Sequence, residues 1–180
     1  MPKSLTMLKA LARRICTPDD LDMIEHYQTR AERLADLWVH AVGLALAAAG
    51  GVVLAVLASV YAGVGAAVST AIYALCLVAM LAASTVYNLT HPCAARPVLR
   101  RLDEAAIFLM IAGSYTPFTA VRFEGAWSVG FTLAVWTMAI VGAAVQMLAP
   151  RLSDACWSVI YVLFGWGAAF ALKPLLETVH

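Results

Sequence analysis

From Leu37 to Ala95 the chain carries no Asp, Glu, Lys or Arg. That uncharged run of roughly sixty residues is about three times the length a helix needs to cross a bilayer, so it must fold back on itself. Tyr61-Ala62-Gly63-Val64-Gly65 is the natural turn, which predicts helices near 37–60 and 66–87. Three more apolar runs follow: 105–121, 127–148 closed by Pro150-Arg151, and 155–172 ending at Lys173-Pro174. The pattern predicts an all-α fold, a polytopic helical membrane bundle of five transmembrane helices occupying 34–180. Residues 1–33 form a separate N-terminal segment. There Leu5, Leu8, Leu11, Ala12 and Ile15 alternate with basic residues, which reads either as a short amphipathic helix on the membrane surface or as a basic tail. Thr17-Pro18-Asp19-Asp20 reads as a helix start, with a threonine cap, proline at the first helical position and acids in the first turn.

Composition fits this class and excludes others. The chain is 63% hydrophobic and 13% charged, with a mean hydropathy of +0.83, too apolar for a soluble domain of this length. A formal net charge of +1 gives no electrostatic footprint for nucleic acid. Cys16, Cys76, Cys93 and Cys156 have no metal-ligand spacing and read as reduced packing residues. Met1 to Cys16 lack the continuous apolar core of a cleaved signal peptide. Lys3, Lys9, Arg13, Arg14, Arg30 and Arg33 precede the first span, and Arg96, Arg100 and Arg101 lie between the second and third. Counting these residues predicts a cytoplasmic N-terminus.

Candidate chemistry gathers at the mouth of the third span, where Asp103-Glu104 stand at the edge of an otherwise uncharged helix. Carboxylates there are costly to desolvate and mark a partner, a wet cavity or a reactive site. His40, Ser84, Asn88, Asp103 and Glu104 all lie near the same ends of the first three spans, which predicts one polar cluster. Gly43, Ala47 and Gly51 on the first span, and Ala106 with Gly113 on the third, recur at helix-packing intervals. Tyr115-Thr116-Pro117 predicts a kink, with the freed carbonyl satisfied by a neighbour or by the threonine hydroxyl.

The third-span run Ile111-Ala112-Gly113-Ser114-Tyr115-Thr116-Pro117-Phe118, with Asp103 ahead of it and Ser84-Thr85-Val86-Tyr87-Asn88 upstream, resembles the bacterial hemolysin III family. Those proteins are relatives of the adiponectin and progestin receptors, within a superfamily of alkaline-ceramidase-like membrane hydrolases. The resemblance extends from Glu32 to the C-terminus. Glu32, Ala35-Asp36, His40 and Gly43 resemble the family's opening pattern, and Tyr161 with Gly165-Trp166 resembles its fifth helix. The resemblance implies seven helices and, in the better understood relatives, zinc held by three histidines. One of these lies four residues after the second-helix serine and two lie on the last helix. Ser84 and Asp103 then stand where that resemblance puts the catalytic serine and aspartate, beside a metal that activates water against an amide.

Three departures temper that implication. The ligand position is Asn88, a poor zinc donor. Glu104 replaces the histidine usual after the aspartate. The chain stops at Val179-His180, where the fifth helix finishes, so the last-helix histidines are absent from it. His91 is one turn beyond Asn88, but Pro92 biases it away from a helical conformation. The expectation is therefore no bound cofactor and no metal site. His40 is expected to form a polar pair with Asp103 or Glu104. Three functions remain: a cytolytic or membrane-perturbing protein, a zinc-dependent hydrolase of membrane lipid amides with ligands supplied from elsewhere, and a lipid-binding, receptor-like pseudo-enzyme. The expected partners are the lipid bilayer and, on the last reading, a lipid ligand, with a homo-oligomer left open and no nucleic acid.

Overall fold

A computed structural model describes residues 27, 29–122, 125–148 and 154–167, and among them every regular element is a helix. The amphipathic or basic N-terminal stretch, the Thr17-Pro18-Asp19-Asp20 helix start and the end of the fifth apolar run from 168 onward lie outside the described residues. We number the helices α1 (Arg30–Leu89), α2 (Arg96–Arg122), α3 (Gly125–Leu148) and α4 (Asp154–Gly165).

The first two apolar runs form α1, 60 residues divided at Gly63, whose φ of 85° and ψ of 179° break the helical path. A left-handed φ is open to glycine without steric cost, so the reversal falls inside the predicted turn. Its two limbs run back along each other. Gly43 faces Leu81, and a methyl group added at Gly51 would lie 2.6 Å from the Ala74 Cβ. Both pairs are centred on the turn, as an antiparallel hairpin requires. The small residues of the first limb thus let two backbones approach closely.

Capping explains where α1 begins. The Glu32 amide donates to the Thr29 hydroxyl, and the Thr29 amide donates to the Glu32 carboxylate, each at 3.2 Å. This reciprocal box satisfies two amides that the first turn leaves without helical partners. At the other end Thr90 is extended, and His91 lies beyond the helix, as the following proline demands.

Helix α2 is the centre of the fold, packing on α1, α3 and α4. Against α1 it presents Gly113, where an added Cβ would lie 2.7 Å from the Cys76 Cβ. Against α3 it presents Phe108, whose ring fills the space a side chain at Gly142 would need. Phe108 also meets the aromatic face of α4, with ring centroids 6.1 Å from Trp157, 4.9 Å from Tyr161 and 6.0 Å from Phe164. Phe108, Trp157 and Phe164, with Ala112, Tyr115, Val135 and Ala139, make the buried core, and Tyr161 packs against it. The outer surface is the reverse of a soluble protein's: Val39, Leu46, Val60, Leu133 and Leu163 are all exposed. A surface so apolar needs an apolar solvent around it. Two helices, α1 and α3, are long and apolar enough to cross a membrane, and α4 is a shorter apolar helix.

Candidate functional site

Successive residues on a helix point about 100° apart, so neighbours in sequence meet different helices. Asp103 and Glu104 illustrate this. Asp103 turns towards α1, where it accepts a hydrogen bond from the Ser84 side chain and feels the charge of His40. Glu104 turns towards α3 and α4. Its carboxylate pairs with the Arg100 Nε at 2.8 Å and accepts a hydrogen bond from the Gln146 amide, and its backbone carbonyl accepts one from the Tyr161 hydroxyl at 3.0 Å.

The α1 side forms a chain of contacts. Asn88 Nδ2 donates to the Ser84 carbonyl at 3.0 Å and lies 3.2 Å from the Ser84 hydroxyl oxygen. Ser84 in turn bonds Asp103. His40 Nδ1 sits 2.9 Å from the Asp36 carbonyl and 3.4 Å from the Asp36 carboxylate. A carbonyl only accepts, so Nδ1 carries a proton. Tyr27 donates to the Asp36 carboxylate. Burial first, then that carboxylate, pushes the Tyr27 phenol up to about 12. Of the five residues expected to cluster, the structure brings His40, Ser84, Asn88 and Asp103 to one side of α2, while Glu104 belongs to the other.

The residues of the third-span signature are structural ties. Ala112 is fully buried and Gly113 is the crossing point with Cys76. The Tyr115 hydroxyl donates to the Gly165 carbonyl at 2.6 Å, satisfying an acceptor in the last turn of α4. The Thr116 hydroxyl donates to the Ala112 carbonyl at 2.9 Å and accepts from Trp136 Nε1 at 3.1 Å. Pro117 has no amide for the Gly113 carbonyl, and the hydroxyl of Thr116 goes to the carbonyl one residue earlier. Helix α2 continues through Pro117. Near the turn joining α2 and α3, Thr119, Ser128 and Thr132 bond one another, with Thr132 Oγ1 2.7 Å from Thr119 Oγ1. Glu32 likewise serves as a cap, as described above.

Sequence reasoning passed over Gln146, Trp136 and Arg96. Gln146 is buried and is the lone amide in an apolar run, a signal that was present. Arg96 is buried with its guanidinium 5.4 Å from the Tyr87 ring centroid, pinning the start of α2 to the end of α1. Nothing in the local sequence marks that contact.

The sequence model described as Haemolysin-III related matches residues 28–180. The chain belongs to the haemolysin III family. Among relatives, it is 29% identical over 150 residues to "Hemolysin-3" of Bacillus cereus, covering 82% of this chain and 68% of that protein. It is also 29% identical over 154 residues to the "Hemolysin-3 homolog" of Bacillus subtilis (strain 168), covering 84% and 71% respectively. No solved structure matches it. Family membership and the apolar helices make it a membrane protein. For this haemolysin III family member, Asn88 stands at the second-helix position where the wider superfamily places a histidine ligand. The amide nitrogen of Asn88 is committed to Ser84. Among the described residues no three His, Cys, Asp or Glu side chains converge as a metal ligand set.

Proposed function

We propose that this chain crosses the inner membrane five times from a cytoplasmic N-terminus and acts on the bilayer itself, as a membrane-perturbing protein with no metal-dependent reaction of its own. The observation that carries the reading is a buried apolar layer across the bundle. Phe108, Ala112, Val135 and Ala139 are buried in the core, with the Asp103 and Glu104 contacts at one end of α2 and the Thr116, Thr119, Thr132 and Trp136 ties at the other. That layer favours disturbance of lipid packing, or assembly of several copies, over a water-filled channel through one chain. The relatives named Hemolysin-3 favour a lytic outcome of that disturbance.

A second reading, hydrolysis of a membrane lipid amide, is favoured by the hydrogen bond between Ser84 and Asp103. It needs metal donors supplied from elsewhere, because Asn88 holds the ligand position. A third, a receptor-like lipid-binding protein, uses the same polar centre without chemistry. One experiment separates them: dye release from vesicles by purified full-length protein, with and without prior chelation and with added zinc. The account expects release to be the same in all three conditions. Release that vanishes on chelation and returns with zinc would favour the hydrolase, and no release in any condition would reject the membrane-perturbing function.

A further inference from the structure

Beyond the Asp103 centre, we infer that the first turns of α1 and the end of its second limb form a binding site for an anionic phospholipid, with the phosphate held by Arg30 and Arg33. A groove of about 450 Å³ is lined by Arg30, Arg33, Leu34, Leu37 and Leu89. Its floor is apolar and its rim is basic. Leu34 and Leu37 are 55% and 43% exposed, so an acyl chain lying on them removes apolar surface from contact with the interface. A smaller pocket adjoins it through the shared residues Arg33 and Leu89, and is walled by Arg96 and His91. Arg96, buried over the Tyr87 ring, adds positive charge behind that smaller pocket.

Charge decides the occupant. Neither pocket is lined by a carboxylate: Glu32 faces the Thr29 capping box and Asp36 faces Tyr27 and His40. The rim therefore presents positive charge, and guanidinium forks match phosphate geometry. Depth agrees. Arg30 lies two turns before Leu37, where the uncharged run begins, which is about 10 Å along the helix and sets the arginines at headgroup level with the leucines below. Basic pockets at helix ends of this kind recognise anionic headgroups. The leucine floor distinguishes a lipid from free phosphate, which has no use for it. The site uses neither Ser84 nor Asp103 and does not depend on the lytic reading.

The test is native mass spectrometry of delipidated full-length protein titrated in detergent with dioleoylphosphatidylglycerol, dioleoylphosphatidylcholine or inorganic phosphate. Phosphatidylglycerol should bind in preference to phosphatidylcholine. The double variant Arg30→Gln/Arg33→Gln should bind it about twenty-five-fold more weakly, taking each arginine near a headgroup as worth about fivefold. Arg30 is exposed and Arg33 partly exposed, and an Arg30→Lys/Arg33→Lys variant should retain most of the binding, separating charge from folding. Equal binding of the two lipids, or of phosphatidylglycerol by wild type and the glutamine variant, would overturn the site. Displacement of phosphatidylglycerol by an equal concentration of inorganic phosphate would overturn the lipid as its occupant.

Discussion

Gly113→Ala is expected to destabilise the protein by about 1–3 kcal/mol, although alanine is the better helix former. The added Cβ would lie 2.7 Å from the Cys76 Cβ and 2.8 Å from its sulfur. The sulfur can rotate away, but the Cys76 Cβ moves only with its backbone, so α1 and α2 must separate where they cross. Gly130 provides the control. It lies in α3 with nothing within 4 Å of an added Cβ, so Gly130→Ala should be neutral or stabilising by up to about 1 kcal/mol. Thermal unfolding of both variants in the same detergent checks the pair. A Gly113→Ala protein as stable as the Gly130→Ala protein would mean that α2 does not cross α1 at this residue.

Glu104→Ala should cost about 2–3 kcal/mol and exceed the cost of Asp103→Ala. Removing the Glu104 carboxylate leaves the Arg100 guanidinium and the buried Gln146 amide without the acceptor they share. An interior donor stripped of its partner carries its full desolvation penalty. The Glu104 side chain is only 24% exposed, so solvent relieves little of this. Ser84, by contrast, can turn its hydroxyl to a carbonyl of its own helix when Asp103 is lost, which limits that variant to about 0.6–2 kcal/mol. Replacing both Glu104 and Gln146 by leucine should recover part of the loss, because the Gln146 amide is then no longer stranded between α2 and α3. Unfolding midpoints of the four proteins decide it. An Asp103→Ala protein less stable than Glu104→Ala would reverse the assignment of the two sides.

Why some of this was legible in the sequence is clear from particular residues. Gly63 lies in the one glycine-rich stretch of the long uncharged run that has aromatic and small residues but no polar alternative, so length alone forced a turn there. Gly43 and Gly51 carry their packing role in their spacing. Tyr115 was recognisable as part of a signature, yet its contact with Gly165 joins residues 50 positions apart, and no local pattern encodes such a pairing. The separation of Asp103 from Glu104 was half legible. Helical geometry sends neighbours to different faces, but which helix waits on each face depends on how α3 and α4 pack around α2. Gln146 stood out as a lone amide, and only the fold pairs it with Glu104.

The proposed bundle crosses the membrane five times, with the Asp103 and Glu104 end in the cytoplasm. It is tested most directly by reporter fusions placed after Arg101 and after Arg122, at opposite ends of the charged-to-apolar run of α2. The lysine and arginine counts predict a cytoplasmic signal from the Arg101 fusion and an extracytoplasmic signal from the Arg122 fusion. Both fusions reporting from one side would contradict it.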